Sequence, residues 1–244
     1  MRKKRAFVFL LSVALLGSCS RLHDITKQEA FQKLDTFEES LSKKEMPKKY
    51  TVKTTYDGSY TYDKNTVLEN AQSTLLFDKE KSFYQYHLEG DKNGTHFFSE
   101  KYIVVRNDTE LWELRWESGD NDSQTKTRRE LKGSTFDDYL SVTTSSMQTF
   151  FKNGPYLAKN LIETDASSWT TLYGPLTEAS YRCEGDDDLS IDLTYTKENK
   201  ETKFSFSFQD QELRTYGVNE GLSTYFWNEC DAIAPQFKDY TLVE

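Results

Sequence analysis

The sequence predicts an α+β fold: a curved antiparallel sheet arranged as a meander, with an N-terminal helix and central helices packed on it. The first observation is a stretch near residues 27–45 in which apolar residues recur at helical spacing. The second is the alternation of apolar and polar residues after residue 50 and again after residue 176, which is typical of strands with one buried face. The third is composition, because 14% of the residues are aromatic and only 4 are proline, which favours a folded chain with an aromatic core.

The N-terminal helix is marked at its start, along its buried face and at its end. Thr26 followed three residues later by Glu29 forms a capping box. Pro47 stops the helix, so the prediction covers about residues 27–45. The stripe is narrow and therefore indicates a helix that lies on a sheet face. Its apolar residues are Ala30, Phe31, Leu34, Phe37 and Leu41.

Strand-rich segments lie on both sides of the central helices. Turn signals such as Asp57-Gly58 and Asn93-Gly94 divide the segment after residue 50 into five or six antiparallel strands. In the segment after residue 176, one strand face carries three phenylalanines. Residues 223–244 are predicted to form a closing strand that Pro235 interrupts. The phenylalanines are Phe204, Phe206 and Phe208.

The centre of the chain is predicted to be helical. A Ser/Thr cap and two early acids, Asp137 and Asp138, mark the start of the first helix. Gly154-Pro155 is expected to end it. Residues 156–169 are expected to form a second short helix.

The first twenty residues predict where the protein is held. Four basic residues, Arg2 to Arg5, precede an apolar run from Ala6 to Leu16, which is too short to span a bilayer and fits a signal peptide. The following Leu16-Gly17-Ser18-Cys19 resembles the lipobox of bacterial lipoproteins. That resemblance implies a diacylglycerol on the Cys19 sulfur and cleavage before Cys19. A plain secreted protein is the alternative.

The predicted lipobox and its cleavage site divide the chain into three parts. Residues 1–18 are the removed signal peptide, residues 19–25 a lipidated tether, and residues 26–244 one α+β domain. The membrane is then a partner through the Cys19 anchor, and the domain faces outside the cytoplasm on the bacterial cell membrane. The leader holds four of the 31 basic residues and none of the 40 acidic ones, so the rest carries a net charge of −13. Such a charge disfavours nucleic-acid binding.

Two cysteines remain after the leader, Cys183 and Cys230. Because disulfides persist outside the cytoplasm, these two cysteines form a possible disulfide. It would close a loop of about 47 residues and add about 3–4 kcal/mol on the chain-entropy model. Two separate buried thiols are the alternative.

Few residues suggest a metal or a catalytic site. His87 and His96 lie on either side of the Asn93-Gly94 turn, where two imidazoles on adjacent strands would bind a metal if a carboxylate joined them. Two surface histidines on a hairpin are the favoured interpretation. The acidic stretch Glu184–Ser190 lacks the spacing of a calcium loop and is interpreted as a solvated turn. No nucleophile or phosphate-loop motif occurs, so the expectation is no enzyme, no metal and no cofactor.

The aromatic residues of the strands indicate a function, because a concave sheet lined with aromatic rings is suited to an apolar ligand. The proposed lining residues are Trp112, Trp116, Phe206 and Trp227. Rings that simply fill the core are the alternative. The order of elements over residues 26–244 resembles the LolA-like and LppX-like lipoproteins. That resemblance implies a half-open sheet around an apolar cavity plugged by helices.

Two functional hypotheses follow for the domain. The first is a non-catalytic, membrane-anchored lipoprotein that binds a lipid or other apolar ligand in its curved sheet. The second is a structural or protein-interaction lipoprotein of the cell envelope with a filled core and no small ligand. The volume and lining of a cavity between sheet and helices would separate them.

Overall fold

The computed structural model describes residues 22–64, 66–107, 109–118, 123–163 and 168–243, and the predicted signal peptide, the predicted lipobox and Cys19 lie outside these residues. The fold is α+β, as predicted. The helices are α1 (Lys27–Lys43), α2 (Phe136–Tyr139), α3 (Ser141–Ile162) and α4 (Ser168–Tyr173). The strands are β1 (His23–Asp24), β2 (Lys49–Tyr56), β3 (Ser59–Asp63), β4 (Thr66–Asp78), β5 (Phe83–Lys92), β6 (Thr95–Arg106), β7 (Glu110–Ser118), β8 (Gln124–Glu130), β9 (Leu176–Cys183), β10 (Leu189–Lys197), β11 (Lys200–Gln209), β12 (Glu212–Val218), β13 (Gly221–Trp227) and β14 (Thr241–Leu242).

The strands described form one large open sheet. Its order is β1-β9-β10-β11-β12-β13-β2-β4-β5-β6-β7-β8-β14, and β3 pairs with β4 beside this path. Two meanders, β4 to β8 and β9 to β13, meet where β13 pairs with β2. Tyr50 lies opposite Trp227 at this junction. The pairing is antiparallel except where β14 lies parallel to β8.

Alternation along the strands gives the sheet two faces. We call the face that packs against α1 and α3 the inner face and the opposite one the outer face. The inner face carries the main aromatic core, and residues next to these in sequence point outward. Core residues of the inner face include Ile191, Phe206, Trp227, Tyr50, Phe77 and Ile103.

The predicted start and apolar stripe of the N-terminal helix are confirmed in α1. The Thr26 hydroxyl accepts from the Glu29 amide at 3.2 Å, and the Glu29 carboxylate accepts from the Thr26 amide at 2.7 Å. The Phe37 ring lies 5.7 Å from that of Phe208 in β11. Each such buried side chain contributes about 1.5–3 kcal/mol by leaving water. The fully buried residues of the helix are Ala30, Leu34, Phe37 and Leu41.

The predicted end of the central helix at Gly154-Pro155 is wrong, because α3 continues through both residues to Ile162. Proline in a helix interior removes one hydrogen bond and costs about 3 kcal/mol. Here both residues are buried, and a Cβ added at Gly154 would lie 3.2 Å from Leu213 Cβ. Close packing against β12 therefore offsets the local cost. The predicted second helix is divided between the end of α3 and α4.

The C-terminal segment, residues 228–243, differs from the predicted closing strand. It leaves β13 and crosses the outer face, where Ala232, Phe237 and Tyr240 pack in one cluster with side chains of β4 to β7. The Arg128 guanidinium stacks on the Phe237 ring at 4.3 Å and donates from Nη1 to the Phe237 carbonyl at 2.7 Å. The segment then ends as β14 on β8. It covers the apolar part of the outer face at that end of the sheet.

Candidate functional site

A cavity of about 530 Å³ lies where the helical layer meets the sheet, and we call it the seam cavity. Ligand pockets commonly have volumes of about 300–1,000 Å³. Its walls come from the α1–β2 connection, from β2 and β4, and from α2 with the first half of α3. The lining residues are Glu45, Met46, Pro47, Lys48, Tyr50, Phe77, Lys79, Asp137, Ser141, Thr144, Ser145 and Gln148.

Helical and strand periodicity explain these walls. Ser141, Thr144, Ser145 and Gln148 recur at the spacing of one helix face, so α3 turns a polar strip toward the cavity. The floor is apolar, since the rings of Tyr50 and Phe77 are register partners on β2 and β4 and stack at 4.9 Å. An apolar floor beneath a polar wall is suited to an amphipathic molecule.

Tyr50 is the unusual group of this cavity. Its side chain is fully buried, yet its hydroxyl has no hydrogen-bond partner among the described residues. An unpaired buried hydroxyl costs about 1–3 kcal/mol. Burial, and then the neighbouring Tyr84, raise the pKa of Tyr50, so the hydroxyl stays protonated at neutral pH.

The charged residues at the cavity are balanced. Lys79 pairs with Asp137 at 2.9 Å, and Lys48 pairs with Glu80 just outside the lining at 3.3 Å. These side chains are more than half exposed, so each pair contributes less than about 1 kcal/mol. Glu45 and Asp137 equal Lys48 and Lys79 in charge, which favours neither an anionic nor a cationic ligand.

The four aromatic residues predicted to line one cavity do not lie together, so that prediction is wrong. Phe206 and Trp227 are buried in the inner-face core. Trp112 and Trp116 are on the outer face, where the Trp112 ring lies 4.8 Å from that of Phe237 in the C-terminal segment. On β7, the residues at odd positions point inward, and this phase depends on long-range pairing that the local sequence does not encode.

The possible disulfide between Cys183 and Cys230 is not formed, and both cysteines are free thiols. Cys183 ends β9, and Cys230 follows β13, four strand positions away in the sheet. At about 4.8 Å per strand the separation is about 19 Å, whereas a disulfide needs Cα atoms within about 7 Å. Cys183 Sγ lies 3.2 Å from His23 Nε2 on β1 instead. Burial raises the pKa of Cys230.

His87 and His96 share the outer face of neighbouring strands. The carboxylate of Glu89 lies between them, 3.6 Å from His87 Nε2 and 3.8 Å from His96 Nε2. Within the described part of the chain, no group of three or more His, Cys, Asp or Glu residues is arranged to hold a metal ion. The acidic stretch Glu184–Ser190 forms the turn between β9 and β10 and the first residues of β10.

A second polar cluster lies on the inner face at the β8 end of the sheet. The Glu113 carboxylate is 2% exposed, and one of its oxygens lies 2.9 Å from both Arg115 Nε and Arg129 Nε. Its other oxygen accepts from the Tyr139 hydroxyl of α2 at 2.8 Å. Burial acts to raise the pKa of Glu113, but the bonds from Arg115 and Tyr139 and the two guanidinium charges outweigh it, so the pKa is lowered. Glu113 therefore fixes α2 to the sheet as an ion.

Replacing Glu113 with glutamine should lower the free energy of unfolding by about 2 kcal/mol at neutral pH, since charge-assisted bonds to a buried carboxylate are lost. A lowered folded-state pKa gives stability that is present above the unfolded pKa, about 4.3, and is lost as the pH falls through the folded value. Urea unfolding should therefore show a smaller difference in free energy of unfolding between the wild type and Glu113→Gln at about pH 3.5 than at pH 7. Glu117→Gln, at a half-exposed position 3.9 Å from Arg115, is the control and should change little. An equal loss at both pH values would contradict the assignment.

Comparison with known proteins adds no relationship: the chain matches no protein-family model, and no curated protein matches it significantly. Among the helices described, none is long and apolar enough to cross a membrane.

Proposed function

We propose that this protein is a non-catalytic, lipid-anchored protein facing outside the cytoplasm, which binds a small amphipathic molecule in the seam cavity. The observation that carries the proposal is a cavity of about 530 Å³ in which an apolar floor lies beneath the polar strip of α3. The lipobox around Cys19 supports the anchor, because a thioether-linked diacyl group supplies the two chains that stable anchoring requires.

The composition of the lining supports one orientation of the proposed ligand. The apolar part would lie against Met46, Pro47 and Phe77. A hydroxyl, carbonyl or ester group of the ligand would pair with the polar strip of α3. Balanced charges favour a ligand with no net charge in this part.

Binding of the uncharged fluorophore N-phenyl-1-naphthylamine to the unlipidated domain tests the proposal. Ser145→Trp places an indole in the cavity and should weaken the affinity at least tenfold, because it fills the volume the probe needs. Ser146→Trp, one residue along α3 and exposed, is the matched control and should bind as the wild type does. Equal affinities for all three proteins would place the probe elsewhere and count against the cavity.

Tyr50→Phe should raise the stability of the domain and leave its ligand binding unchanged. It removes a buried hydroxyl that pairs with no described residue, so the ligand-free domain should gain about 1 kcal/mol in free energy of unfolding. The same change should leave the affinity for the natural ligand unchanged, because the hydroxyl has no surface that the ligand can contact. Urea unfolding of the delipidated domain and competition between extracted ligand and the fluorophore measure the two effects. A destabilised variant would show that the hydroxyl already has a partner.

The anchor is tested separately from the cavity. Cys19→Ala should release the full chain from the membrane fraction of an expressing bacterium, because the thioether cannot form. Ser20→Ala is the control and should leave the protein in the membrane fraction. Retention of Cys19→Ala in that fraction after carbonate washing would overturn the anchor.

A further inference from the structure

Three cations gather on the inner face of β6, β7 and β8, away from the lining of the seam cavity. Lys101 lies opposite Arg115 in the β6–β7 register, and Arg129 lies opposite Glu113 in the β7–β8 register. Because residues opposite one another share a face, all three cations project on the same side as Glu113. The part of the chain after the leader carries a net charge of −13, so such a grouping runs against the overall charge.

Among the described residues, most donors of the two arginines have no partner. Each contributes its Nε to the same oxygen of Glu113, and Arg115 Nη1 lies 3.9 Å from the Glu117 carboxylate. Within the described ranges the Nη atoms have no closer carboxylate partner. Their side chains are 45% and 49% exposed, so the guanidinium edges are accessible. Glu113 thus fixes the direction of two forks whose free ends are available to another anion.

Lys101 is held in this cluster without a carboxylate of its own. It is half-buried, its ammonium lies 5.5 Å above the Tyr84 ring, and no described carboxylate comes within 4.0 Å of it. Burial lowers the pKa of Lys101, and the charges of Arg115 and Arg129 lower it further, against an opposing effect of Glu113. The cations therefore repel one another in the ligand-free protein, and an anion between them would relieve that repulsion.

We propose that Lys101, Arg115 and Arg129 form a binding site for a phosphate group, either free or esterified in a lipid head group. Guanidinium forks match the oxygens of phosphate in geometry, and the lysine adds a compact charge. This site is separate from the seam cavity, since α2 lies between them. Asp137 of that helix lines the cavity, whereas Tyr139 bonds to Glu113.

Thermal unfolding of the unlipidated domain in sodium phosphate and in sodium chloride of equal ionic strength tests this site. The midpoint should rise saturably with phosphate and should stay constant with chloride. Lys101→Met should weaken phosphate at least tenfold, and Lys101→Arg should retain it. Lys53→Met is the matched control, because its ammonium lies 5.5 Å from the Phe226 ring on the outer face and is absent from the cluster. Equal midpoints in both salts, or equal responses of Lys101→Met and Lys53→Met, would overturn the site for free phosphate.

A second arm distinguishes the two sources of the phosphate group. Dihexanoyl-phosphatidylglycerol is titrated below its micelle concentration, with dihexanoylglycerol as the control that lacks phosphate. Saturable binding at least tenfold tighter than that of inorganic phosphate, and lost in Lys101→Met, assigns a lipid head group. Equal or weaker binding assigns the free anion. If neither phosphate compound binds in a Lys101-dependent manner, the proposal is wrong, and the seam cavity is unaffected by that result.

Discussion

Replacing Trp227 with alanine should lower the free energy of unfolding by about 4 kcal/mol, because large-to-small changes at buried aromatic residues leave a cavity as well as losing burial. The side chain is 6% exposed. Its ring lies 5.1 Å from that of Phe151 in α3 and 5.9 Å from that of Tyr50 in β2. Its Nε1 donates to the Leu213 carbonyl at 2.8 Å, so that buried carbonyl also loses its partner. Urea unfolding followed by circular dichroism measures the loss.

Trp116→Ala is the matched control for that experiment. Trp116 lies on the outer face, and its Nε1 donates to the exposed Gln124 side chain at 3.2 Å. Since less of its area is buried, its loss should cost about 1–2 kcal/mol. Similar costs for the two tryptophans would contradict the assignment of Trp227 to the core that joins the two meanders and of Trp116 to the margin of the outer face.

Ending the chain after Cys230 should lower the free energy of unfolding by about 3–4 kcal/mol and expose apolar surface. The removed part includes Phe237 and the buried Tyr240, and burial of such rings contributes about 1.5–3 kcal/mol each. Loss of this cover would leave Phe83 and Leu114 on an open face. Increased binding of the dye 1-anilinonaphthalene-8-sulfonate and concentration-dependent aggregation are the expected signs.

Removing only residues 241–244 separates the stabilising effect of the packed rings from that of β14 pairing. That truncation deletes β14 but retains Tyr240 and Phe237, so it should cost less than about 1 kcal/mol and leave dye binding unchanged. If the short truncation is as damaging as the long one, the parallel pairing of β14 holds the segment and the packing of its rings does not.

Local signals were sufficient for much of the fold. The capping box at Thr26 and the stripe on α1 predicted the first helix to within two residues at its end. The turns at Asp57-Gly58 and Asn93-Gly94 join consecutive strands as expected, and Gly58 and Asn93 adopt the positive φ that such turns require. These features depend on a few neighbouring residues, which is why the sequence determines them directly.

Features that depend on distant contacts were not predictable in the same way. The continuation of α3 through Pro155 depends on packing against Leu213 of β12. The placement of Trp112 on the outer face depends on which face of the sheet the helices cover, and alternation alone leaves that choice open. The seam cavity brings together residues between 45 and 148, so no local motif marks it, although the strip Ser141, Thr144, Ser145 and Gln148 is a visible signal in retrospect.

The central claim is that the seam cavity holds a ligand, and extraction of that ligand tests it most directly. The domain is expressed in the envelope of a bacterium, purified without detergent, denatured in organic solvent and examined by mass spectrometry, with Ser145→Trp treated in parallel. We expect an amphipathic compound at close to one molecule per wild-type chain and depleted at least tenfold in Ser145→Trp. Absence of any such compound, or equal amounts from both proteins, would contradict the claim.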